Sequence, residues 1–364
     1  MTKNRKKTKI LLTGGGTAGS VAPLLALHDD LRGYDFVWLG TWQGIEKQMV
    51  IKENIRYFGI FSGKVRRYNS WRNFIDPVLI ILGFFQSLIY LAIIKPNIII
   101  TAGSFVSVPV VLAGRILRIP VLVHQLDYRP GIANRIMGFF AEQVTTSLEK
   151  SLEDYPGKSV WTGSPIRQSF RDAEGELVGL KKNYPVLLVI GGGTGARGIN
   201  NLVEYALDDL TEFCQIVHLT GRGKMVEAET ENYYSFEFFD NEQMARALAS
   251  ADLIISRAGM GILTELAFLK KASLIIPMPK SHQEDNAGIL EEYNAAIVMS
   301  ENELSRGKFI QLVKDLLANE PLREELGNNL NKVIKSDGNH EIINIIKEIV
   351  RNKEEENKSE ENKE

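Results

Sequence analysis

Ile10-Leu11-Leu12-Thr13-Gly14-Gly15-Gly16-Thr17-Ala18-Gly19-Ser20 decides the fold: an apolar run breaks into glycines and resumes as the amphipathic stretch Val21 to Leu31. This reads as strand, tight turn, helix. Glycines allow positive φ and close ligand approach, and the first N–H groups of the following helix are unpaired and favour an anion. The simplest such anion is a phosphate. Gly14, Gly16 and Gly19 fit the dinucleotide spacing, but that fingerprint also needs an acid at the end of the second strand, about 20 residues on. Asp35 to Gly40 ends without one, so a phosphate-bearing ligand other than NAD is the better reading.

The same unit returns. Pro185 to Ile190 reads as a strand, Gly191 to Arg197 as a second glycine turn, and Ile199 to Leu210 as a helix. Two Rossmann-like α/β domains with parallel sheets follow, within what 364 residues and 44% hydrophobic content can bury. The polar segment Glu149 to Ser159, after a last short strand Gln143 to Ser147, places a linker near the middle. Phe236 to Phe239 reads as a strand, Gln311 to Leu317 and Ile342 to Arg351 as closing helices, and Arg351 to Glu364 as a disordered charged tail.

The formal charge of −2 gives no sign of a nucleic-acid partner, and a single cysteine, Cys214, excludes an internal disulfide or a cysteine-rich metal site. Met1 to Lys9 is basic but leads into a short strand, unlike a signal peptide. Lys64, Arg66, Arg67 and Arg72, with Tyr68 and Trp71, precede the apolar run Val78 to Ile94. At about 17 residues that run is at the lower limit for a span. Gln86, Ser87 and the lack of a second span argue against crossing. It reads as a buried helix or as an interfacial helix meeting anionic lipid, and one helix can do both.

Ligands of open α/β sheets collect at the carboxyl ends of strands, so His124-Gln125-Leu126-Asp127 and Gly103-Ser104 belong with the glycine turn. Taken with Gly14 to Gly19, Gly103 to Pro109, Gly131 to Arg135, Thr162 to Arg167, Gly191 to Arg197, Ser256 to Gly259 with Glu265, and His282-Gln283 with Asn286-Ala287, the sequence resembles the MurG family in register from about Lys9 to Val350. That family moves N-acetylglucosamine from UDP-GlcNAc to undecaprenyl-diphospho-N-acetylmuramoyl-pentapeptide.

The resemblance implies a GT-B arrangement: an acceptor- and membrane-binding domain over 1–163, a UDP-sugar domain over 164–340, and a closing helix over 341–351 that returns to the first domain, before the tail 352–364. It implies donor contacts from Arg167, Gly193, Thr194, Asn200, Phe239, Arg257, Met260, Gly261, Ile262, Glu265, Gln283 and Asn286. Here the backbone near Phe239 would meet uracil, Glu265 the ribose hydroxyls, and Gln283 and Asn286 the sugar hydroxyls. It implies acceptor contacts from Gly15, Gly16, Thr17, Ala18, Gly19, Ser104, Phe105, Gln125 and Asn134. It also implies an inverting, metal-independent transferase with no cofactor, UDP-GlcNAc being a substrate, held peripherally on the cytoplasmic face of the membrane. No Asp-x-Asp stands in the chain.

Three acceptor-side groups depart from the family pattern. Ser20 replaces a histidine, Phe105 a tyrosine, and His124-Gln125-Leu126-Asp127 stands for His-Glu-Gln-Asn. Inverting transfer needs a base for the attacking hydroxyl. Neither Ser20 nor Gln125 can serve at neutral pH, so Asp127 is the candidate, with His124 second. Altered acceptor-side groups leave two alternatives: a UDP-sugar transferase for another lipid-linked acceptor, or a non-catalytic UDP-sugar-binding membrane scaffold.

Overall fold

The computed structural model describes residues 7–63, 72–172, 177, 179–181, 184–192, 195–226, 228, 230–303 and 305–361. The chain divides into two units. The first holds residues up to Leu126, Pro130–Arg167 and Asp337–Glu364; the second holds Asp127–Arg129 and Gln168–Ser336.

The first unit opens with β1 (Lys9–Thr13), α1 (Ala22–Asp30), β2 (Asp35–Thr41), α2 (Ile45–Lys52), β3 (Arg56–Ile60) and α3 (Arg72–Ile94). It continues with β4 (Ile98–Thr101), α4 (Ser107–Ile116), β5 (Val121–Gln125), α5 (Ile132–Phe140), β6 (Gln143–Thr146) and β7 (Ser159–Trp161). The strands form one parallel sheet in the order β3-β2-β1-β4-β5-β6-β7. β1 and β4, including Ile10, Leu11, Ile99 and Ile100, are wholly buried along their apolar runs, as strands covered on both faces must be.

Glu149 to Ser159, the polar start of the connector, belongs to the first unit, which runs on to Arg167 before the main run of the second begins at Gln168. That segment carries a short 3-10 turn, Glu149–Asp154, and then β7, which pairs with β6 from Val144↔Ser159 to Thr146↔Trp161. β6 is therefore not the last strand. A three-residue edge strand beginning with Ser159 has too little apolar pattern to show in sequence.

The second unit contains α6 (Gln168–Arg171), β8 (Val186–Ile190), α7 (Arg197–Tyr205), α8 (Leu207–Thr211), β9 (Gln215–Leu219), β10 (Tyr233–Phe236), α9 (Asn241–Ser250) and β11 (Leu253–Ser256). It ends with α10 (Met260–Phe268), β12 (Ser273–Ile275), α11 (His282–Glu292), β13 (Ile297–Val298), α12 (Arg306–Ala318) and α13 (Glu320–Val333). Its parallel sheet runs β10-β9-β8-β11-β12-β13. The third strand precedes the expected Phe236-to-Phe239 segment, so Phe239 lies beyond β10, buried with its ring 4.8 Å from that of Phe236. Cys214 is buried in the core, its thiol donating to Leu210 O, and burial pushes it up to about 12, as suits a small apolar filler.

α14 (Asn339–Glu361) belongs to the first unit. Its first residue, buried Asn339, accepts from Ile166 N at 2.7 Å and donates through Nδ2 to Ala26 O and Asp30 Oδ2, at 3.2 and 2.5 Å. The helix continues to Glu361 where sequence suggested a disordered tail. Lys and Glu are good helix formers, and Lys353 pairs with Glu356 at 2.6 Å, so the buried turns around Ile342 and Ile346 propagate outward. The closing helices of the chain number three, α12, α13 and α14, against the two read from sequence.

α3 begins at Arg72, earlier than the apolar run, and packs one stripe inward: Gly83, Ser87, Leu91 and Ile94. A Cβ at Gly83 would collide with the Phe61 carbonyl, and Gln86 accepts from Phe61 N at 2.8 Å. Gln86 thus serves β3's continuation. The opposite stripe, Val78, Ile81, Leu82, Phe85, Ile89 and Ile93, is exposed, Ile93 by 73%. By length and composition Asp76–Ile94 could cross a membrane, and 17% of its window is buried, so core packing alone does not account for it.

Candidate active site

In both sheets the strand order is 3-2-1-4-5-6, extended by one strand in the first, and the direction in which successive strands are added reverses between the first and fourth strands of each. Crevices at that point are where such sheets bind ligands. In the first unit it lies between β1 and β4, followed by Gly14 to Ser20 and by Gly103-Ser104. In the second it lies between β8 and β11, followed by Gly191 to Gly195 and by Arg257 to Gly261.

The first-unit loops are tightly held. Gly16 has φ +80, Gly103 +108 and Ser104 +97. A non-glycine residue at such φ costs on the order of 1 kcal/mol or more and persists where neighbours over-determine it. Gly103 N donates to Thr101 Oγ1 at 3.1 Å and Gly103 O accepts from Ser107 Oγ at 3.1 Å. Asn134 stands directly above: a Cβ on Gly103 would lie 2.8 Å from Asn134 Oδ1. Phe105, half-buried, packs on the core.

Several residues expected to touch ligand are committed to the protein instead. Gln125 is 1% exposed, and its Oε1 accepts from Asn134 Nδ2 at 2.7 Å and Tyr155 Oη at 3.0 Å. It braces the loop. Ser20 Oγ donates to Gly15 O and Thr17 O, both at 3.4 Å, and closes its own turn. His124 is 1% exposed, with Nδ1 2.9 Å from Thr145 Oγ1 and Nε2 3.3 Å from Ser147 Oγ. Burial pushes its pKa down to about 3. It has the surroundings of a satisfied core histidine.

In the second unit, Gly193 and Thr194 lie outside the described residues. Flanking them, Gly192 has φ +87 and Gly195 φ +71, and a Cβ on Gly195 would strike Thr220 O. Asn200, expected at the donor, is 5% exposed. Its Nδ2 donates to Thr220 O at 2.9 Å and its Oδ1 lies 3.2 Å from His218 Nε2, so it supports the glycine turn from inside. Arg257 donates to Ile276 O and Pro277 O at 3.0 and 3.1 Å and pairs with Glu301.

α10 starts at Gly259 with no side-chain cap, so its first-turn N–H groups at Met260, Gly261 and Ile262 are unpaired within the helix and carry the positive end of the dipole. No atom lies within 4 Å of a Cβ built on Gly259 or Gly261, which leaves open space for a ligand. Glu265, half-buried, follows on the same helix. Gln283 accepts from Met278 N at 3.0 Å through Oε1.

Asp127 to Arg129 cluster with the second unit. Buried Asn286 donates from Nδ2 to Asp127 Oδ1 at 3.0 Å and to Ala258 O at 3.1 Å, while its Oδ1 accepts from Tyr128 N at 2.9 Å. Asn286 positions Asp127. His282 Nε2 lies 3.9 Å from Asp127 Oδ1, a neighbour the sequence reading quoted without giving it a part.

The glycosyltransferase family 28 N-terminal model matches residues 10–146 and the family 28 C-terminal model residues 186–342. The chain belongs to the MurG family of glycosyltransferases. It is 38% identical over 353 residues, 93% of its length and 99% of the relative's, to the UDP-N-acetylglucosamine--N-acetylmuramyl-(pentapeptide) pyrophosphoryl-undecaprenol N-acetylglucosamine transferase of Lachnospira eligens. A protein of the same name from Clostridium kluyveri is 38% identical over 93% of this chain and 98% of its own. The crystal structure of Acinetobacter baumannii MurG superposes with a TM-score of 0.74 at 26% identity, covering 94% of this chain and 99% of that one. The calicheamicin glycosyltransferase CalG4, at 13% identity, 95% and 98% coverage and a TM-score of 0.71, shares the GT-B fold. The family membership and the GT-B class expected from sequence both hold.

Two buried histidines of this family member predict an acid sensitivity. His218 is fully buried between Tyr233 and Asn200, and burial lowers its pKa to about 4. Above its unfolded value of about 6.5 both states are neutral; below it the unfolded chain binds a proton that the native chain refuses. Stability is therefore lost as pH falls from about 6.5 toward 4, by up to about 1.4 kcal/mol per pH unit. Urea midpoints measured at pH 7 and pH 5 should show a loss of about 2 kcal/mol from each of His124 and His218, so that His218→Gln removes about half of the total.

Proposed function

We propose that this chain, a UDP-N-acetylglucosaminyltransferase of the MurG family, moves N-acetylglucosamine from UDP-GlcNAc to the muramoyl 4-hydroxyl of undecaprenyl-diphospho-N-acetylmuramoyl-pentapeptide, with inversion, in peptidoglycan synthesis. The observation that carries this reading is full-length likeness to transferases of that name, 38% identical over 93% of the chain. An uncapped α10 N-terminus with Glu265 on the same helix supports the donor side.

In the reaction the acceptor oxygen forms a bond to the anomeric carbon as the bond to the UDP oxygen breaks. The acceptor proton goes to the Asp127 carboxylate, and the leaving diphosphate's charge falls to the N–H groups of Met260, Gly261 and Ile262. Glu265 holds the ribose diol and Gln283 a sugar hydroxyl. The step needs no cofactor, and the charge on UDP is met by helix dipole in place of a metal. Release of UDP that requires both UDP-GlcNAc and the muramoyl lipid supports this. Release with a different polyprenyl acceptor transfers the reading to that lipid, and UDP-GlcNAc binding without turnover leaves a scaffold.

The chain docks peripherally on the cytoplasmic membrane face through the exposed stripe of α3. Beside α3 packs α4, which exposes Ile116 by 63%, and next to α4 lies α5, which exposes Phe139 by 74%. Apolar faces of this kind sink into the headgroup boundary and are reinforced by basic neighbours on anionic lipid. The basic stretch Lys64 to Trp71 lies outside the described residues. Phe84 packs on the core, so Phe85, Ile89 and Ile93 are the side chains to change. Converting these three to Ser is expected to abolish cosedimentation with phosphatidylglycerol vesicles while leaving the thermal midpoint within a few degrees; unchanged cosedimentation would remove the membrane role.

A further inference from the structure

The Gly14-to-Ser20 turn is anchored from beneath by a residue that no sequence motif marks. Glu46, in the first turn of α2, is 0% exposed. Its Oε2 accepts from Gly16 N at 3.1 Å; its Oε1 accepts from Thr41 N at 2.9 Å and from the Thr41 hydroxyl. Tyr57, at the other side, donates its hydroxyl to Thr41 O, and burial followed by the charge of Glu46 pushes that phenol's pKa up. Accepting from two N–H groups and a hydroxyl is the pattern of a carboxylate, which has no proton to give.

The surrounding glycines exist to admit this group. A Cβ on Gly15 or on Gly44 would collide with the Glu46 carboxylate itself. Gly16, the residue whose amide the sequence assigns to a phosphate, is thereby already engaged. Along the rest of the turn, Ala18 O accepts from Val21 N and Ala22 N, while no protein acceptor is seen for the N–H groups of Thr17, Ala18 and Gly19 among the described residues.

We propose that Glu46 is the positioning residue of the acceptor loop: it fixes the glycine turn to the end of β2 and confines acceptor phosphate contacts to the amides after Gly16. This rests on reading that turn as the acceptor's. Glu46 does not touch substrate. Its work is to hold one loop conformation, so that the open amides need no ordering when the acceptor arrives. Replacing one carboxylate oxygen by NH2 sets two donors against each other at Gly16 and frees the turn.

The test is steady-state kinetics of Glu46→Gln and Gly44→Ala, varying muramoyl lipid and UDP-GlcNAc separately, with thermal midpoints. Gly44→Ala leaves the loop sequence intact and displaces only the carboxylate. Both variants are expected to raise the acceptor KM about tenfold or more, with the UDP-GlcNAc KM within about twofold. Unchanged acceptor KM, equal change in both constants, or loss of folding in both variants makes the carboxylate a core element and overturns the proposal. A wild-type chain that does not turn over the muramoyl lipid overturns the functional reading and this one with it, a result the wild-type arm shows before any variant is assayed.

Discussion

Asp127→Asn is expected to lower kcat by about 10²- to 10⁴-fold, the usual contribution of a positioned general base. The substitution is gentle. An amide oxygen can still accept from Asn286 Nδ2, now at 3.0 Å, so the geometry around Tyr128 and Ala258 survives while the proton acceptor is lost. UDP-GlcNAc affinity should barely move, because no donor contact is assigned to this carboxylate. Single-turnover rates at saturating substrates, beside donor affinity by calorimetry, make the separation. Full turnover in a folded Asp127→Asn chain would show that the base is another group, and His282, 3.9 Å away, is the first to examine.

Glu265→Ala should act on the opposite substrate. Two hydroxyls of the ribose bound to one carboxylate are charge-assisted bonds, together worth about 2 to 3 kcal/mol, which is about 10²-fold in donor affinity. Free UDP shares the ribose, so its inhibition constant should rise by the same factor as the UDP-GlcNAc KM, while the acceptor KM stays put. If UDP inhibition is unchanged, Glu265 is bound elsewhere in the protein and the ribose is recognised by other groups.

The strands around which both units form were legible because fully buried parallel strands must be continuous apolar runs. Ile10 to Leu12 and Val186 to Ile190 have no other reading once glycines follow them. Less legible were elements whose stability comes from context. β7 is a three-residue edge, and the end of α14 is polar all round yet grows from a helix already anchored at Asn339. At the site, the glycine loops follow the carboxyl ends of β1, β4, β8 and β11, as their sequence pattern implies, while side-chain contacts have no such pattern. Gln125, His124, Asn200, Arg257 and Asn286 each bond neighbouring protein groups, contacts that only the packing reveals. Glu46 was not singled out in the sequence at all. No motif marks it, and only the missing Cβ atoms of Gly15 and Gly44 show the room made for its buried carboxylate.

Inverting transfer to the muramoyl 4-hydroxyl is the central claim, and the bond it makes is the most direct witness. The chain should be incubated with UDP-GlcNAc and the undecaprenyl-diphospho-muramoyl-pentapeptide, and the disaccharide lipid analysed by NMR for linkage and anomeric configuration. A β-1,4 bond between N-acetylglucosamine and the muramoyl sugar, formed with stoichiometric release of UDP, is the result predicted. An α bond, a bond to another hydroxyl, or no disaccharide from a chain that binds UDP-GlcNAc would contradict it.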